Sequence, residues 1–255
     1  MIDGNVVIDF HAHVGRWDRY GMKDDPGLML HAMDAVGIDV ACLFNVFYPD
    51  GTTGNDLTAR VVSEHPDRFI GFAYVSPLMP EGMVPELERA IDKLGFAAIK
   101  LYPPATAWPD FSQPPWDPIY RFADERGLTI IFHTGDDAPP KALSAIAPRY
   151  PHANFVAGHS GVTPVERAQA IAAAKANPNV YLETCSTYRT PGLIEHLVEE
   201  VGADRVLFGT DMPLMDPRAQ LGKIITARIS DEAKRHVMGG NARRLLGKKE
   251  GGRWS

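Results

Sequence analysis

The 255-residue sequence has few cysteines and no long apolar run. Its two cysteines, Cys42 and Cys185, form no Cys-x-x-Cys pair and lie in apolar stretches, which favours two buried free thiols over a disulfide. No segment reaches the roughly 18 consecutive apolar residues of a membrane helix. The first residues also lack the basic and apolar regions of a secretory signal. We therefore expect a cytoplasmic protein without a membrane partner.

An excess of positive charge is also missing. Thirty-two Asp and Glu residues against 26 Lys and Arg residues give a net charge of -6, so no general attraction to nucleic acid is expected. The hydrophobic share of 45% and the charged share of 23% are ordinary for a globular protein with a substantial core. Because one closed α/β barrel needs roughly 250 residues, we expect a single domain over residues 1–255.

Several motifs of known chemistry are absent. No Gly-x-Gly-x-x-Gly follows the first predicted strand, and the segment Gly51-Thr52-Thr53-Gly54 lacks the lysine of a phosphate loop. There is no His-Glu-x-x-His, and Gly158-His159-Ser160-Gly161 lacks the Gly-x-Ser-x-Gly spacing of a nucleophile elbow. Dinucleotide binding and acyl transfer through a serine are therefore disfavoured.

Short β-rich runs alternate with amphipathic segments along the chain. Most runs are continuously apolar, as expected for parallel strands that are covered on both faces. The predicted strands span residues 5–10, 40–46, 69–75, 96–101, 128–132, 154–157, 180–183 and 205–208. The clearest predicted helices span residues 28–36, 56–64, 85–94, 118–125, 164–175 and 191–201. This order predicts an α/β fold, a (β/α)8 TIM barrel, with a doubly wound open sheet as the alternative.

Polar residues cluster where the predicted strands end, which is where barrel enzymes place their reacting groups. Asp9, His11 and His13 are spaced by two, so we expect their side chains to point to one side and the two imidazoles to converge on a cation. At the ends of other strands lie Lys100, His133, His159 and Asp211. Of these, His133 and Asp211 are the candidates for completing a zinc shell. The other five histidines are interpreted as surface or structural residues.

The segment of residues 103–118 is rich in proline and tryptophan. It is interpreted as a rigid loop that faces the substrate, and the alternative is a loop packed on its own side chains. Tyr102 and Trp108 are candidates for lining a substrate pocket. Arg16 and Arg189, in loops after the first and seventh strands, are candidates for binding a carboxylate, although each could equally be a solvated loop arginine.

The strand-end segments as a set resemble the amidohydrolase superfamily. The matching segments are Ile8-Asp9-Phe10-His11-Ala12-His13, Gly95-Phe96-Ala97-Ala98-Ile99-Lys100-Leu101-Tyr102-Pro103, Phe132-His133-Thr134-Gly135, Gly158-His159-Ser160-Gly161, Phe208-Gly209-Thr210-Asp211-Met212-Pro213 and Gly240-Asn241-Ala242-Arg243-Arg244-Leu245-Leu246. The branch that looks most similar is the amidohydrolase-related group that includes aminocarboxymuconate-semialdehyde decarboxylase. The resemblance runs through essentially the whole chain in the right order.

This resemblance implies a metal site. It implies that His11, His13, His133 and Asp211 bind one divalent ion, most often zinc, and that His159 polarises the substrate or assists proton transfer. In binuclear relatives the fourth-strand lysine is carbamylated and bridges two ions, which would add Lys100 and His159 to the ligands. An unmodified Lys100 that anchors a carboxylate is the third interpretation, so one or two ions remain open.

The same resemblance implies an enzyme that acts on a small molecule. The first expectation is a metal-dependent hydrolase in which a metal-activated water cleaves an amide, lactone or ester of a small organic acid and Asp211 takes the proton. The first alternative is a metal-dependent decarboxylase or hydratase of an unsaturated carboxylic acid. The second is a non-catalytic binding barrel. Homo-oligomer formation is left open.

Overall fold

Parallel strands in sequence order form the sheet of this computed structural model, which describes residues 4–18, 21–135, 137–186 and 191–247. The strands are β1 (Ile8–His13), β2 (Val40–Phe44), β3 (Phe69–Tyr74), β4 (Ala98–Leu101), β5 (Thr129–His133), β6 (Asn154–Gly158), β7 (Val180–Glu183) and β8 (Val206–Leu207). Each strand pairs in parallel with the next. The predicted barrel order is therefore confirmed.

The sheet closes between β1 and the segment that follows β8. The backbone amide of Phe10 donates to the carbonyl of Phe208 at 2.9 Å, and that of Asp211 donates to the carbonyl of His11 at 2.8 Å. Ala12 also forms a parallel bridge with Met212. These bonds exclude the open-sheet alternative and place Asp211 beside the histidines of β1.

Helices follow the strands and cover the outside of the barrel. They are α1 (Pro26–Val36), α2 (Thr52–Glu64), α3 (Met83–Glu88), α4 (Asp117–Arg126), α5 (Ala142–Ile146), α6 (Pro164–Ala176), α7 (Leu193–Val201), α8 (Pro217–Thr226), α9 (Asp231–Arg235) and α10 (Asn241–Leu246). Local chemistry fixes their starts: Asp25 caps α1 before Pro26, and Thr163 forms a capping box with Glu166 at α6. None of the described helices combines the length and apolarity needed to cross a bilayer.

Two apolar layers hold the strands in place. An inner cluster contains side chains from successive strands, among them Phe10, Phe44, Phe72, Ile131 and Val156. A larger cluster packs the outer faces of the strands against the helices. Both cysteines are free and buried, as predicted. The filled interior leaves the carboxyl ends of the strands as the place where polar groups can gather.

One prediction about local structure needs correction, and one loop can now be placed. β1 begins three residues later than predicted, so His11 and His13 lie on the strand and not after it. Its register with β2 shifts between Asp9 and Ala12, which breaks the simple two-residue alternation. In the loop of residues 103–118, the ring of Phe111 stacks on Phe132 with centroids 4.5 Å apart. That contact packs the loop against β5, and its substrate-facing role stays a prediction.

Candidate metal centre

The side chains of His11, His13 and Asp211 converge at the mouth of the barrel. Asp211 Oδ1 lies 3.0 Å from His13 Nε2 and 3.6 Å from His11 Nε2. All three residues are buried. The two histidines lie on β1. The backbone hydrogen bond from Asp211 to His11, which helps to close the barrel, places the Asp211 carboxylate beside them. The expected convergence of the two imidazoles with Asp211 is therefore present.

This donor group fits a divalent cation. Nitrogen and oxygen ligands at 2.0 to 2.2 Å from a tetrahedral ion lie about 3.4 Å from one another. The nitrogen-to-oxygen separations of 3.0 and 3.6 Å in this group bracket that value. Buried imidazoles and a buried carboxylate are costly without a partner, and a cation would satisfy all of them. Two imidazoles with one carboxylate also match the ligand preferences of divalent transition metals.

Glu183, the last residue of β7, orients His11. Its Oε2 atom lies 2.9 Å from His11 Nδ1 and also accepts the backbone amide of His159 at 3.0 Å. Because a carboxylate oxygen accepts hydrogen bonds, the hydrogen of His11 sits on Nδ1 and the lone pair of Nε2 faces Asp211. The arrangement is the carboxylate–histidine support that metal-binding histidines commonly have.

Asp9 has a different role from the one predicted. Its Oδ1 atom accepts the backbone amides of His11 at 3.0 Å and Thr210 at 2.9 Å, and the Thr210 hydroxyl donates to Oδ2. The carboxylate therefore ties β1 to the segment after β8 and is not part of the group formed by His11, His13 and Asp211. The register shift in β1 accounts for the difference from the predicted one-sided set.

Lys100 on β4 reaches the same group. Its Nζ atom lies 3.0 Å from His11 Nε2 and 4.5 Å from the centre of the Phe44 ring. Burial lowers the pKa of Lys100 to about 8, although the nearby Asp211 carboxylate opposes that shift. The lysine is thus at the predicted place, beside a nitrogen that a cation would also bind.

His133 and His159 form a pair. His159 Nε2 lies 2.9 Å from His133 Nδ1, and the ring of Tyr102 meets His133 edge-on with centroids 4.9 Å apart. His133 is absent from the group of His11, His13 and Asp211, so its role as a ligand stays a prediction. Burial lowers the pKa of His159 to about 3, which leaves a neutral imidazole at neutral pH.

Asp211 is held as a carboxylate. Burial alone would raise its pKa, but the hydrogen bond from His13 and the nearby His11 and His159 hold the pKa well below its ordinary value. Its second oxygen, Oδ2, accepts the hydroxyl of Ser186 at 3.1 Å. The two oxygens therefore have different partners: Oδ1 faces the histidines of β1, and Oδ2 faces Ser186 in the segment after β7.

The backbone is strained around these side chains. In the described part of the chain, the non-glycine residues with left-handed φ are His159, Ser160, Ser186 and Asp211, with φ of 69°, 50°, 58° and 64°. Such a conformation costs of the order of 1–3 kcal/mol for a residue with a Cβ atom. All four follow β6, β7 or β8. Strain confined to the barrel mouth is typical of a functional site.

The candidate substrate residues have varied positions. Tyr102 lies at the centre, against His133. Arg16 is 72% exposed and pairs with Asp18, which is the arrangement of a solvated loop arginine. Trp108 is half-buried against the outer core, and its carbonyl accepts Trp116 Nε1 at 3.1 Å. Arg189 lies outside the described residues. Substrate contacts by these residues stay predictions.

Three neighbouring residues of the site were missed from sequence. Glu183 ends a predicted strand, and Cys185 and Ser186 follow it. A charged residue at the end of an otherwise apolar barrel strand was the available signal for Glu183. Cys185 was interpreted only as a buried thiol, yet its Sγ atom lies 3.0 Å from His159 Nδ1 and 3.3 Å from His11 Nδ1.

A closed parallel barrel with convergent histidines and a carboxylate at its carboxyl-terminal mouth defines an enzyme of the TIM-barrel class. The sequence profile of the amidohydrolase family matches residues 8–248. The chain therefore belongs to the amidohydrolase family, as the strand-end segments indicated.

Curated relatives include decarboxylases and a hydratase. A gamma-resorcylate decarboxylase from Polaromonas sp. strain JS666 is 29% identical over 245 residues, covering 75% of this chain and 74% of the relative. A 2-amino-3-carboxymuconate-6-semialdehyde decarboxylase from Dictyostelium discoideum is 24% identical, covering 76% and 65%. A 2-keto-4-carboxy-3-hexenedioate hydratase from Sphingobium sp. is 27% identical, covering 79% and 72%.

Solved structures share the fold. The structure of 5-carboxyvanillate decarboxylase from Sphingomonas paucimobilis has a TM-score of 0.78 at 18% identity and covers 95% of this chain and 99% of that one. A dihydroxybenzoic acid decarboxylase from Polaromonas sp. JS666, with bound manganese and the inhibitor 2-nitroresorcinol, has a TM-score of 0.76 at 20% identity and covers 95% and 97%. These likenesses support the barrel architecture.

Proposed function

We propose that this chain is a metal-dependent decarboxylase of a small, planar, unsaturated or aromatic carboxylic acid. The observation that carries the proposal is the convergence of His11, His13 and Asp211 in a chain whose curated relatives include decarboxylases. The sequence alone ranked hydrolysis first and decarboxylation second. The named relatives support placing decarboxylation first, because two of those described above are decarboxylases and none is a hydrolase.

We propose that His11, His13 and Asp211 hold the cation and that His133 joins them. A bound divalent cation supplies positive charge that orients a substrate oxygen and stabilises negative charge on it. Zinc is the ion expected from the ligand types, and manganese is the ion in the related decarboxylase structure. Both ions therefore belong in the reconstitution experiments, and the bound ion in this chain stays a prediction.

Lys100 is the proposed partner of the substrate carboxylate. Its pKa of about 8 means that the amine is largely protonated at neutral pH. Lys100 Nζ lies 3.0 Å from His11 Nε2, so if that nitrogen held a cation, the Lys100 ammonium would be free to contact an anion beside it. The neutral His159 ring lies beside the centre, with its centroid 4.9 Å from that of His11. As a neutral ring it can donate one hydrogen bond and accept another without adding charge.

Aromatic rings beside the centre support a planar substrate. Phe47 stacks on His13 with centroids 5.8 Å apart, and Trp17 lies 4.7 Å from Phe47. Tyr102 contacts His133 from the side of β4 and β5. Such rings favour stacking with a flat, conjugated acid over packing with a flexible aliphatic one.

Hydrolysis remains the second candidate because of Asp211. Because the pKa of Asp211 is held well below its ordinary value, the group is ionised at neutral pH and can accept a hydrogen bond from, and so orient, an attacking water. Decarboxylation instead needs a proton delivered to the carbon that loses the carboxylate. The two reactions therefore differ in the direction of proton transfer at the same group of residues.

The test is a product assay on purified protein reconstituted separately with Mn²⁺ and Zn²⁺. Hydroxybenzoates, including 2,6-dihydroxybenzoate, and unsaturated dicarboxylic acids are scored for carbon dioxide release, and ester and lactone panels for hydrolysis. We expect metal-dependent carbon dioxide release that His13→Ala abolishes and that the exposed control His152→Ala retains. Hydrolysis of a lactone or ester without carbon dioxide release from any acid would replace the proposal with the second candidate.

A further inference from the structure

A hydrogen-bond chain of four residues runs from β7 to β5 beside the metal centre. Cys185 Sγ lies 3.1 Å from Glu183 Oε2 and 3.0 Å from His159 Nδ1, and His159 Nε2 lies 2.9 Å from His133 Nδ1. From this chain we propose that Cys185 is a positioning residue that fixes the ring tautomers of His159 and His133. The effect on metal binding rests on the proposed function, whereas the tautomers themselves follow from these distances alone.

The first step follows from the hydrogens available to the thiol. Cys185 has one S–H hydrogen, and Glu183 Oε2 is an acceptor that already receives His11 Nδ1 and the His159 backbone amide. When the thiol donates to Glu183, the sulfur meets His159 only as an acceptor. His159 Nδ1 must then carry the ring hydrogen, and its Nε2 has a free lone pair.

The second step concerns the hydrogen bond between His159 and His133. The bare Nε2 of His159 accepts a hydrogen bond from His133 Nδ1, so the ring hydrogen of His133 sits on Nδ1. Its Nε2 is then free of hydrogen, and that state is the one in which an imidazole can bind a metal ion. The predicted ligand role of His133 therefore depends on a thiol two residues away in the chain of bonds.

The opposite direction has the opposite consequence. If the thiol donated to His159 Nδ1, His159 would carry its hydrogen on Nε2 and donate to His133 Nδ1. His133 would then carry its hydrogen on Nε2 and could bind no cation there. The carboxylate of Glu183 selects between the two directions because it is the stronger acceptor for the single thiol hydrogen.

Burial makes this selection strict. Glu183 and Cys185 are fully buried and His159 is 3% exposed, so solvent is poorly placed to replace a missing partner. Cys42 offers a matched control, since it is equally buried but packs among apolar side chains of the inner cluster. Replacing either cysteine with alanine removes the same buried sulfur atom, and only Cys185 also loses its contacts with His159, Glu183 and His11.

The experiment compares Cys185→Ala, Cys185→Ser and Cys42→Ala with the wild type. Nitrogen-15 NMR of histidine-labelled protein, metal-free and loaded with Zn²⁺, reports which ring nitrogen carries the hydrogen. His159→Gln and His133→Gln spectra assign the two rings. Zn²⁺ affinity is measured in parallel by competition with a chelator.

We expect hydrogen on Nδ1 of both rings in the wild type, in Cys42→Ala and in Cys185→Ser, whose hydroxyl can also donate once and accept. Cys185→Ala should shift His159 towards the Nε2–H form and weaken Zn²⁺ binding by about tenfold, the lower end for loss of a supporting partner. Unchanged tautomers in Cys185→Ala, or hydrogen on His159 Nε2 in the wild type, would overturn the inference. The metal-free spectra keep it separate from the proposed function, which fails instead if the wild type binds no Zn²⁺.

Discussion

Glu183 Oε2 and His11 Nδ1 lie 2.9 Å apart, and both side chains are buried. Because His11 presents its other nitrogen to Asp211, this contact sets the direction in which the candidate ligand faces. Glu183 also accepts the backbone amide of His159, so one carboxylate joins the ends of β1, β6 and β7. The orientation of the centre therefore depends on a residue that was not itself predicted as a ligand.

Replacing Glu183 with glutamine tests this orientation. Glu183→Gln keeps the size of the side chain but removes the negative charge that fixes the hydrogen on His11 Nδ1. We expect the affinity for Zn²⁺ or Mn²⁺ to fall by about 10- to 100-fold, as for other partners of metal-binding histidines. Chelator competition measures the affinity. The control is Glu200→Gln, a surface change in the pair with Lys175, and equal affinities in the two variants would refute the role of Glu183.

Gly209 gives a second test, because the absence of a side chain at this position leaves room for the contact between Glu183 and His11. A Cβ atom at this position would lie 2.1 Å from Glu183 Oε1 and 2.8 Å from His11 Cβ. Gly209→Ala should lower the free energy of unfolding by about 1–3 kcal/mol and weaken metal binding, since the buried neighbours cannot move freely. Thermal and urea unfolding measure the change.

The matched control is Gly222→Ala in α8. A Cβ atom there meets no heavy atom within 4 Å, so alanine should be neutral or stabilise the helix by up to about 1 kcal/mol. If both alanine variants change stability in the same direction and by the same amount, crowding at Gly209 is not the cause.

The buried carboxylate of Glu86, which lies away from the candidate metal centre, should make a pH-dependent contribution to the free energy of unfolding. Burial would raise its pKa, but donors from Arg89, Asn55 and Thr52 outweigh burial and lower the pKa below its ordinary value. The folded state therefore binds this proton less readily than the unfolded state. The stabilisation is present above about pH 4.5 and is lost as the pH falls through the folded-state pKa.

Glu86→Gln should accordingly reduce the free energy of unfolding by about 1–3 kcal/mol at neutral pH. The difference from the wild type should shrink as the pH falls from neutral to about 3.5, which urea unfolding at several pH values can measure. A difference that stays constant over that range would show that the lost charge is not responsible.

Arg16 should be dispensable. Its guanidinium is exposed and paired with Asp18, so the structure gives no reason for it to bind a substrate carboxylate. We expect Arg16→Ala to leave kcat/KM for the best acid within about twofold, with Lys100→Met losing most of the activity in parallel. An increase of more than tenfold in KM for Arg16→Ala alone would instead support the carboxylate-binding role that the sequence suggested.

The barrel itself was predictable because buried parallel strands are continuously apolar. Predicted and observed strands differ by only a few residues, and the largest offset is in β1, where Asp9 and two histidines interrupt the apolar pattern. Because these polar residues break the apolar run, the sequence did not indicate that the strand continues through His11 and His13. The register shift in β1 begins at Asp9, whose carboxylate accepts the backbone amide of Thr210, 201 positions away in the sequence.

The candidate ligand group was predictable from strand ends, and the residues that orient it were not. His11, His13 and Asp211 could be placed because barrel strands end at one face. Glu183 and Cys185 contact the histidines and not a predicted cation. Glu183 is the last residue of β7, and Cys185 lies two residues after it, so no repeated polar spacing marked them. Which ring nitrogen each histidine presents depends on contacts between β1, β6 and β7, and no local pattern encodes them.

The most direct test is the divalent metal content of purified protein after chelation, reconstitution and removal of free ions. We expect a stoichiometric ion in the wild type and in His152→Ala, and its loss in His13→Ala and Asp211→Asn, with the fold intact by circular dichroism. A wild type that retains no stoichiometric ion, or ligand variants that retain as much as the wild type, would contradict a cation held by His11, His13 and Asp211.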